Sequence, residues 1–230
     1  MYANKEDIKY HFFVFLISPA LGLIYALKTR SQKVIRWSLF TFTVIYGSLF
    51  KMSTLGDGER HWQNVYDHYQ YLEFNVWWKE LIAILVLDPS DYTKDDVFIH
   101  TLSYLVGGVF NAPGLFFVAV AVVYGFFYSG AIVKLLSYVD WKSNYNKFYV
   151  GFFLTCLLLW KQPYDMQTVR SWTSMWVLIY SIVSYHQSNN RKYLLLVLTA
   201  PLFHIGFVTI AFPLWVVLFS GYRNPRIYFI

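Results

Sequence analysis

Long apolar runs alternate with short polar connections along most of the chain. An α-helix needs about 20 mostly apolar residues to cross a bilayer core of about 30 Å. Six runs are predicted to form such helices: Ile8–Leu27, Val34–Phe50, Ala112–Leu136, Lys147–Trp160, Trp172–Tyr185 and Tyr193–Phe219. The fourth and fifth runs are short, but each can take a further turn from the polar segment Lys161–Arg170 between them.

Two further segments are too short to cross a bilayer by themselves. Val76–Leu87 has about a dozen residues, which is typical of a re-entrant or interfacial helix. Val97–Phe110 predicts half a span that ends at the break Asn111–Gly114. The pattern therefore predicts about six crossings, and about eight at most if these segments contribute.

The amino-acid composition indicates which class of protein contains these predicted helices. Of the 230 residues, 57% are apolar, 22% aromatic and 14% charged, whereas soluble domains have about 45–50% apolar and about 25% charged residues. A soluble fold of this length could not bury so much apolar surface, which excludes a disordered chain, a disulfide scaffold and a secreted enzyme. We therefore predict an all-α integral membrane protein, a single domain over residues 1–230 with residues 51–96 as a long external loop.

The net charge of +6 is explained by three short connections between the predicted spans. Apart from one acidic residue, Asp140, their charges are basic: Lys28, Arg30, Lys33 and Arg36; Lys134, Lys142 and Lys147; Arg191 and Lys192. Because short loops rich in Lys and Arg stay in the cytoplasm, both termini are predicted to be external. The basic residues orient the chain in the lipid bilayer, and no nucleic-acid partner is predicted.

Two residues stand out inside or beside the predicted spans. Arg170 precedes the run Trp172–Tyr185, where its side chain either extends to the headgroup layer or points into the bundle and holds an anion. A guanidinium can bind a phosphate or diphosphate through two parallel hydrogen bonds. His204 lies between Pro201 and Gly206, which loosen the helix. It is either a packing residue or a functional group that accepts a proton, donates to phosphate or contacts a substrate hydroxyl.

The external loop carries the other candidates. Asp57 and Glu59 flank Gly58, and two carboxylates on such a loop could bind a sugar, act as a general base or coordinate a divalent cation. A solvated loop without function is the alternative. Arg60 either pairs with these carboxylates or contacts phosphate.

The remaining polar groups favour neither metal nor nucleotide chemistry. His61 and His68 lack the spacing of metalloprotease zinc ligands, and the lone Cys156 cannot form a cysteine-based metal site. The chain contains no P-loop, dinucleotide fingerprint or serine-hydrolase elbow. We predict no metal and no cofactor. An acidic cluster is predicted to be a solvated loop: Asp88, Asp91, Asp95 and Asp96.

Three stretches follow the order of a known signature. Gln167–Ser174 precedes a span and a basic turn, and Leu194–His204 ends in Phe-His. The first external loop contributes Asp57, Tyr66 and Tyr69. These stretches resemble the N-x-x-R-Q-x-x-A, L-x-A-x-x-F-H-x-S and D-x-x-x-Y motifs of the EpsG/Wzy-like polysaccharide polymerases. The specific part of the resemblance is Met166–Phe207.

The chain departs from these motifs at four positions. Gln167 stands in place of Asn, Ser171 of Gln, Ser174 of Ala, and Gly206 of Ser. Gln can still form a hydrogen bond with a sugar or phosphate. Members of the family are also longer, so we expect the chain to be an N-terminal portion of a longer protein or a short divergent member.

The resemblance implies a polymerase of lipid-linked repeat units at the external face of the bacterial cytoplasmic membrane. A glycan on undecaprenyl diphosphate would be transferred to a sugar hydroxyl of a second lipid-linked unit, and the polyprenyl diphosphate would leave. The product would be O-antigen, capsule or exopolysaccharide. A chain-length regulator and a flippase of the same pathway would be the protein partners. No cofactor is implied, because the donor brings its own leaving group.

Roles for individual residues follow from the same resemblance. Arg170 would contact the diphosphate, His204 would contact a phosphate or hydroxyl, and Asp57 would be a base or a sugar contact. The residues expected to contact substrate are Gln167, Arg60, Glu59 and Tyr66.

Two other functions use the same residues differently. In a flippase or transporter component for lipid-linked glycans, Arg170 and His204 would line a path without catalysing a reaction. In a membrane O-acyltransferase, His204 would be the base. The second alternative has weaker support, because the sequence offers neither a second histidine at a telling position nor an acyl-donor groove.

Overall fold

The computed structural model describes residues 5–29, 31–50, 57–88, 96–138, 149 and 168–220. Within these ranges the chain is helical and contains no strand, which confirms the predicted all-α class for this part. The predicted run Lys147–Trp160 lies outside the described residues apart from Tyr149. The helices are α1 (Lys5–Ile17), α2 (Pro19–Thr29), α3 (Gln32–Ser48), α4 (Asp57–Asp67), α5 (Phe74–Leu85), α6 (Val97–Tyr104), α7 (Phe116–Leu136), α8 (Val169–Ser188), α9 (Lys192–Val197), α10 (Ala200–Phe203) and α11 (Val208–Phe219).

Three long helices form the core. α3 and α7 are antiparallel: the end of α3 packs against the start of α7, and the guanidinium of Arg36 lies 5.0 Å from the Phe126 ring further along. α7 and α8 are parallel, since Val169 and Phe116 share one apolar cluster at their starts. Lys134 Nζ donates to Gln187 Oε1 (3.3 Å) at their ends.

The bundle has two chemically different ends. One end collects Lys33, Arg36, Lys134, Arg191 and Lys192, from the starts of α3 and α9 and the end of α7. Lys134 Nζ lies over the rings of Tyr180 and Tyr193 at 5.6 and 5.8 Å there. We call this the basic end. The opposite end carries the starts of α4, α6 and α8.

Only one stretch among the described helices, Pro113–Leu136, is both long and apolar enough to cross a bilayer by itself. α3 has 17 residues and therefore a length of about 25 Å. α8 has 20 residues but buries several hydroxyl side chains, including Ser181 and Ser184. Six crossings therefore do not follow from the described helices.

The first run predicted as a single helix, Ile8–Leu27, is a hairpin. The rings of His11 and Tyr25 lie 6.4 Å apart, and a Cβ atom on Gly22 would lie 2.7 Å from Phe15 Cα. This pairing makes α1 and α2 antiparallel. The turn falls at Pro19, whose ring removes a backbone N–H and interrupts the helix.

The last run, Tyr193–Phe219, is a second hairpin. α9 and α10 lead from the basic end to His204, whose backbone is extended (φ −158°, ψ 116°). α11 then returns, because Tyr185 Oη near the end of α8 donates to the carbonyl of Leu218 (3.3 Å). The sequence predicted one continuous helix here, whereas His204 lies at the apex of two antiparallel arms.

The close contact between α3 and α7 gives a test of this core. A Cβ atom at Gly47 would lie 2.5 Å from Ala121 Cβ and 2.8 Å from the Phe117 carbonyl. Gly47→Ala should therefore lower the thermal midpoint: overpacking costs about 1–3 kcal/mol, more than the helix propensity of Ala returns. Gly114→Ala is the control, since its Cβ would meet only Tyr66 Oη at 3.6 Å. Equal midpoints for the two variants in detergent would contradict the packing.

Candidate functional site

Asp96, the residue before α6, is the centre of a charged network at the end opposite the basic end. Its Oδ2 accepts hydrogen bonds from Arg170 Nη1 and His204 Nδ1, both at 3.2 Å. Its Oδ1 accepts from the backbone N–H of Ile205 at 2.9 Å. Asp96 is only 6% exposed. A carboxylate so deeply buried is stable only with donors of this kind.

Three separate elements bring these groups together. Arg170 lies in the first turn of α8, and Asp96 directly precedes α6. His204 is at the apex of the hairpin, where the extended backbone leaves the N–H of Ile205 outside the regular pattern of helical bonds. The break in the last apolar run is therefore what supplies two of the donors to Asp96.

Asp57 forms the second half of the network. Its Oδ1 accepts from Arg60 Nη2 at 2.9 Å and from Arg170 Nη2 at 3.4 Å. Its Oδ2 lies 3.4 Å from His61 Nε2. Arg60 and His61 follow Asp57 by three and four residues on α4, so the three side chains share one helix face. Arg170 thus bridges two carboxylates, Asp57 and Asp96.

The surroundings of Asp57 lower the pKa of its carboxyl group. The hydrogen bond with His61 lowers the pKa of Asp57 to about 2, helped by the charges of His61, Arg170 and Arg60, while partial burial opposes the shift. A general base works best with a pKa near the operating pH. The geometry thus favours Asp57 as a partner of cations over Asp57 as a proton acceptor.

The Asp96 carboxylate fixes the tautomer of His204. A carboxylate only accepts hydrogen bonds, so Nδ1 of the neutral imidazole carries the proton and Nε2 presents a lone pair. Gly206 leaves room beside this atom, since a Cβ there would lie 3.2 Å from His204 Nε2. His204 is therefore oriented as a proton acceptor.

The three residues predicted to be catalytic, Asp57, Arg170 and His204, lie in this one network. Arg60 joins it through Asp57. Glu59 instead accepts a hydrogen bond from Gln63 Nε2 on its own helix (3.2 Å), and Tyr66 packs on Trp62, with ring centroids 4.6 Å apart. Gln167 lies outside the described residues. The roles assigned to all of these residues stay predictions.

Sequence reasoning missed two members of the network, Asp96 and His61. The prediction that Asp96 lies in a solvated loop is wrong, because it is buried against three donors. Asp91 and Asp95 of the same cluster lie outside the described residues. The sequence predicted no role for His61, because its spacing from His68 is not that of metalloprotease zinc ligands. Its spacing of four residues from Asp57 was the signal for a shared helix face.

A cavity of about 340 Å³ opens beside Asp96. Its walls are mostly aliphatic and come from the end of α5, the start of α6 and the apex of the second hairpin. The apolar wall residues are Ala83, Ile84, Leu85, Leu87, Val97, Pro201, Leu202 and Ile205. Asp88 and Asp96 are the two charged residues that line it. The network therefore adjoins a space suited to an apolar group.

A second buried polar cluster holds α5 against α6. Tyr69 Oη lies 2.9 Å from Nδ1 of the fully buried His100, whose Nε2 lies 3.2 Å from the Trp77 carbonyl. The carbonyl can only accept, so Nε2 carries the proton and Nδ1 accepts from Tyr69. His100 is thereby satisfied by hydrogen bonds, and the cluster fixes the helix that forms one wall of the cavity.

No group of three His, Cys, Asp or Glu side chains among the described residues has the geometry of a metal site. The Asp and His side chains at the network instead contact guanidinium groups, imidazole and backbone N–H.

Comparisons with known proteins give no match. No family model matches the chain, and no curated protein or solved structure matches it. The resemblance to EpsG/Wzy-like polymerases stays a prediction from the motifs.

Proposed function

We propose that the chain is a membrane glycosyltransferase that polymerises oligosaccharides linked to polyprenyl diphosphate. The observation that carries the proposal is the meeting of Arg170 and His204 on the shared carboxylate of Asp96. Glycosyl transfer from such a donor needs a cation for the leaving diphosphate and a base for the attacking hydroxyl in one place. A guanidinium and an imidazole of fixed tautomer are suited to these two tasks.

Exposed apolar side chains support a membrane environment. Large hydrophobic residues are exposed along several helices, among them Phe13, Leu21, Trp37 and Phe212. Apolar surface on this scale is unfavourable in water, whereas lipid chains solvate it well. We infer that α3, α7 and α8 lie in the bilayer and that the two hairpins enter it from the basic end.

The predicted run Lys147–Trp160 falls between α7 and α8 in the sequence. Apart from Tyr149 it lies outside the described residues, and its crossing of the bilayer stays a prediction. The total of six crossings stays a prediction.

The charge distribution supports an orientation. Lys and Arg close to membrane segments favour the cytoplasmic side, so we assign the basic end to the cytoplasm. The network then faces the external leaflet of the bacterial cytoplasmic membrane. The external position of both termini stays a prediction, since residues 1–4 and 221–230 lie outside the described residues. In the two hairpins, however, the start of α1 and the end of α11 lie at the basic end, which we assign to the cytoplasm.

In the proposed reaction, a hydroxyl oxygen of the acceptor sugar attacks the anomeric carbon of the donor. The bond from that carbon to the diphosphate oxygen breaks, and the polyprenyl diphosphate leaves with the electron pair. His204 Nε2 takes the hydroxyl proton, and Asp96 stabilises the resulting imidazolium. Arg170 stabilises the charge that develops on the diphosphate.

The cavity beside Asp96 is suited to the lipid part of the donor. Its aliphatic walls begin one side chain away from Arg170, since Asp96 both lines the cavity and binds the guanidinium. An apolar chain attached to a diphosphate at Arg170 could extend into this space. We therefore assign the first units of the polyprenyl chain to the cavity.

Deletion of the gene in its host tests the proposal. We expect loss of long polymer chains while single repeat units still reach the cell surface, because only the linking step is removed. The measurement is the size distribution of surface polysaccharide on gels, with the wild-type gene restored on a plasmid as the control.

Two other outcomes would each contradict a polymerase. Complete loss of externalised repeat units would indicate a flippase component. Normal chain length with loss of acyl groups, detected by NMR of the polymer, would indicate an O-acyltransferase.

A further inference from the structure

The position of Asp57 between two guanidinium groups suggests how the site receives its substrate. One oxygen, Oδ1, accepts from Arg60 Nη2 at 2.9 Å and from Arg170 Nη2 at 3.4 Å. The other oxygen lies 3.4 Å from His61 Nε2. An oxygen anion held by two arginines is the arrangement in which proteins bind phosphate. The carboxylate of Asp57 thus lies where the oxygen of a bound phosphate would contact Arg60 and Arg170.

The two carboxylates of the network differ in how firmly they are held. Asp96 is 6% exposed and is bound by two elements remote from it in sequence, α8 and the apex of the second hairpin. The side chain of Asp57 is 29% exposed, and two of its three partners lie on its own helix. Asp57 can therefore leave Arg170 by rotating its side chain, whereas Asp96 cannot leave without unpacking α6.

Charge balance makes the two anions compete. Among the described residues, the carboxylates of Asp57 and Asp96 balance the charges of Arg60 and Arg170. A diphosphate that approached Arg170 would meet the negative charge of Asp57 within a few ångströms, where like charges repel strongly. Diphosphate and Asp57 therefore cannot both hold the same guanidinium N–H groups.

We propose that Asp57 fills the phosphate position of the resting site and is displaced from Arg60 and Arg170 by the diphosphate of the substrate. This inference rests on the proposed function for the identity of the anion. A group must offer more negative charge than one carboxylate to displace Asp57. A diphosphate does so, and its charged oxygens on two phosphorus atoms can contact Arg60 and Arg170 together.

Binding of inorganic pyrophosphate to the full chain in detergent tests this directly. Asp57→Asn removes the competing charge and should tighten pyrophosphate binding at least about tenfold. Asp67→Asn is the matched control, because Asp67 is exposed at the other end of α4. Unchanged or weaker binding by Asp57→Asn, or no binding by any form, would overturn the proposal.

Carboxyl labelling of the wild-type protein gives a second test that needs no variant. Saturating pyrophosphate should raise carbodiimide labelling of Asp57 severalfold, measured by mass spectrometry, while Asp96 stays protected. Unchanged or reduced labelling of Asp57 would contradict displacement even if Asp57→Asn proves unstable.

The source of the diphosphate is resolved by repeating the titration with farnesyl diphosphate. An effect of equal size on both ligands supports recognition of the diphosphate group itself, and a larger effect of Asp57→Asn on farnesyl diphosphate than on pyrophosphate supports displacement by a lipid headgroup. These readouts do not depend on polymer synthesis. Displacement can therefore hold if the gene deletion leaves the polymer intact, and it can fail if the polymer is lost.

Discussion

Replacing Arg170 with lysine is expected to slow chain extension about 10²–10³-fold, nearly as much as replacing it with alanine. The guanidinium spans two carboxylates, with Nη1 at 3.2 Å from Asp96 Oδ2 and Nη2 at 3.4 Å from Asp57 Oδ1. An ammonium group is a point charge and cannot hold Asp96 through one N–H group while it offers an edge of parallel N–H groups to a diphosphate. The measurement is the rate of polymer formation from purified lipid-linked repeat units in liposomes.

Protein stability has to be separated from catalysis in this experiment. Removal of Arg170 takes one partner from the buried Asp96, and such a loss costs about 3–5 kcal/mol in buried pairs. Rates are therefore compared at equal amounts of folded protein, with thermal unfolding as the check. Arg191→Lys at the basic end makes the same chemical change at an exposed position and should leave the rate unchanged. Normal chain lengths with both Arg170 variants would rule out the diphosphate role.

The sequence predicted the helical class and the residues that mark the network, for identifiable physical reasons. Charges are costly inside or beside apolar runs, so Arg170 and His204 stood out against their surroundings. Asp57 stood out because it shares a short polar loop with other charged groups. Each inference needed only local sequence and the cost of burying polar groups.

The hairpins were beyond the same reasoning. Hydropathy measures how apolar a segment is. An apolar segment has the same hydropathy whether it forms one helix that crosses the bilayer or a hairpin of two shorter helices. Pro19 and the segment from Pro201 to Gly206 were visible as weak points, yet only the packing of Phe15 against Gly22 and of Tyr185 against Leu218 reveals the reversal. Contacts between distant residues decide the direction of the chain.

The burial of Asp96 was not predicted, because its acidic neighbours in the sequence indicated a loop exposed to solvent. It lies in a run with Asp88, Asp91 and Asp95, and acidic runs are usually hydrated. Its partners Arg170 and His204 are more than 70 residues away in sequence. A carboxylate that directly precedes an apolar helix was the available clue, and it pointed to a helix start without naming the partners.

Asp96→Asn is expected to lower the rate of chain extension about 10²–10⁴-fold, the usual contribution of a positioned base. Asp96 accepts three hydrogen bonds through two oxygens, whereas asparagine has one accepting oxygen and one donating nitrogen. A donor facing His204 Nδ1 favours the opposite tautomer, in which Nε2 carries the proton and cannot accept one from the hydroxyl. Asp96 is thus a positioning residue that acts through His204.

The turnover number of the folded protein distinguishes this role from a purely structural one. The wrong tautomer of His204 leaves the hydroxyl proton without an acceptor, so kcat per folded molecule should fall. A structural role would lower the amount of active protein and leave kcat per folded molecule unchanged. Asp67→Asn again controls for the loss of one carboxylate on the same side of the molecule.

A double variant completes the argument. His204→Gln should slow the reaction about as much as Asp96→Asn, and the combination should be no slower than either alone, because groups that act as one unit lose their contribution together. Losses that multiply would mean that Asp96 and His204 act independently. In that case the base would have to be sought elsewhere in the network, and the 3.2 Å contact between these two side chains would serve only to hold the hairpin apex against α6.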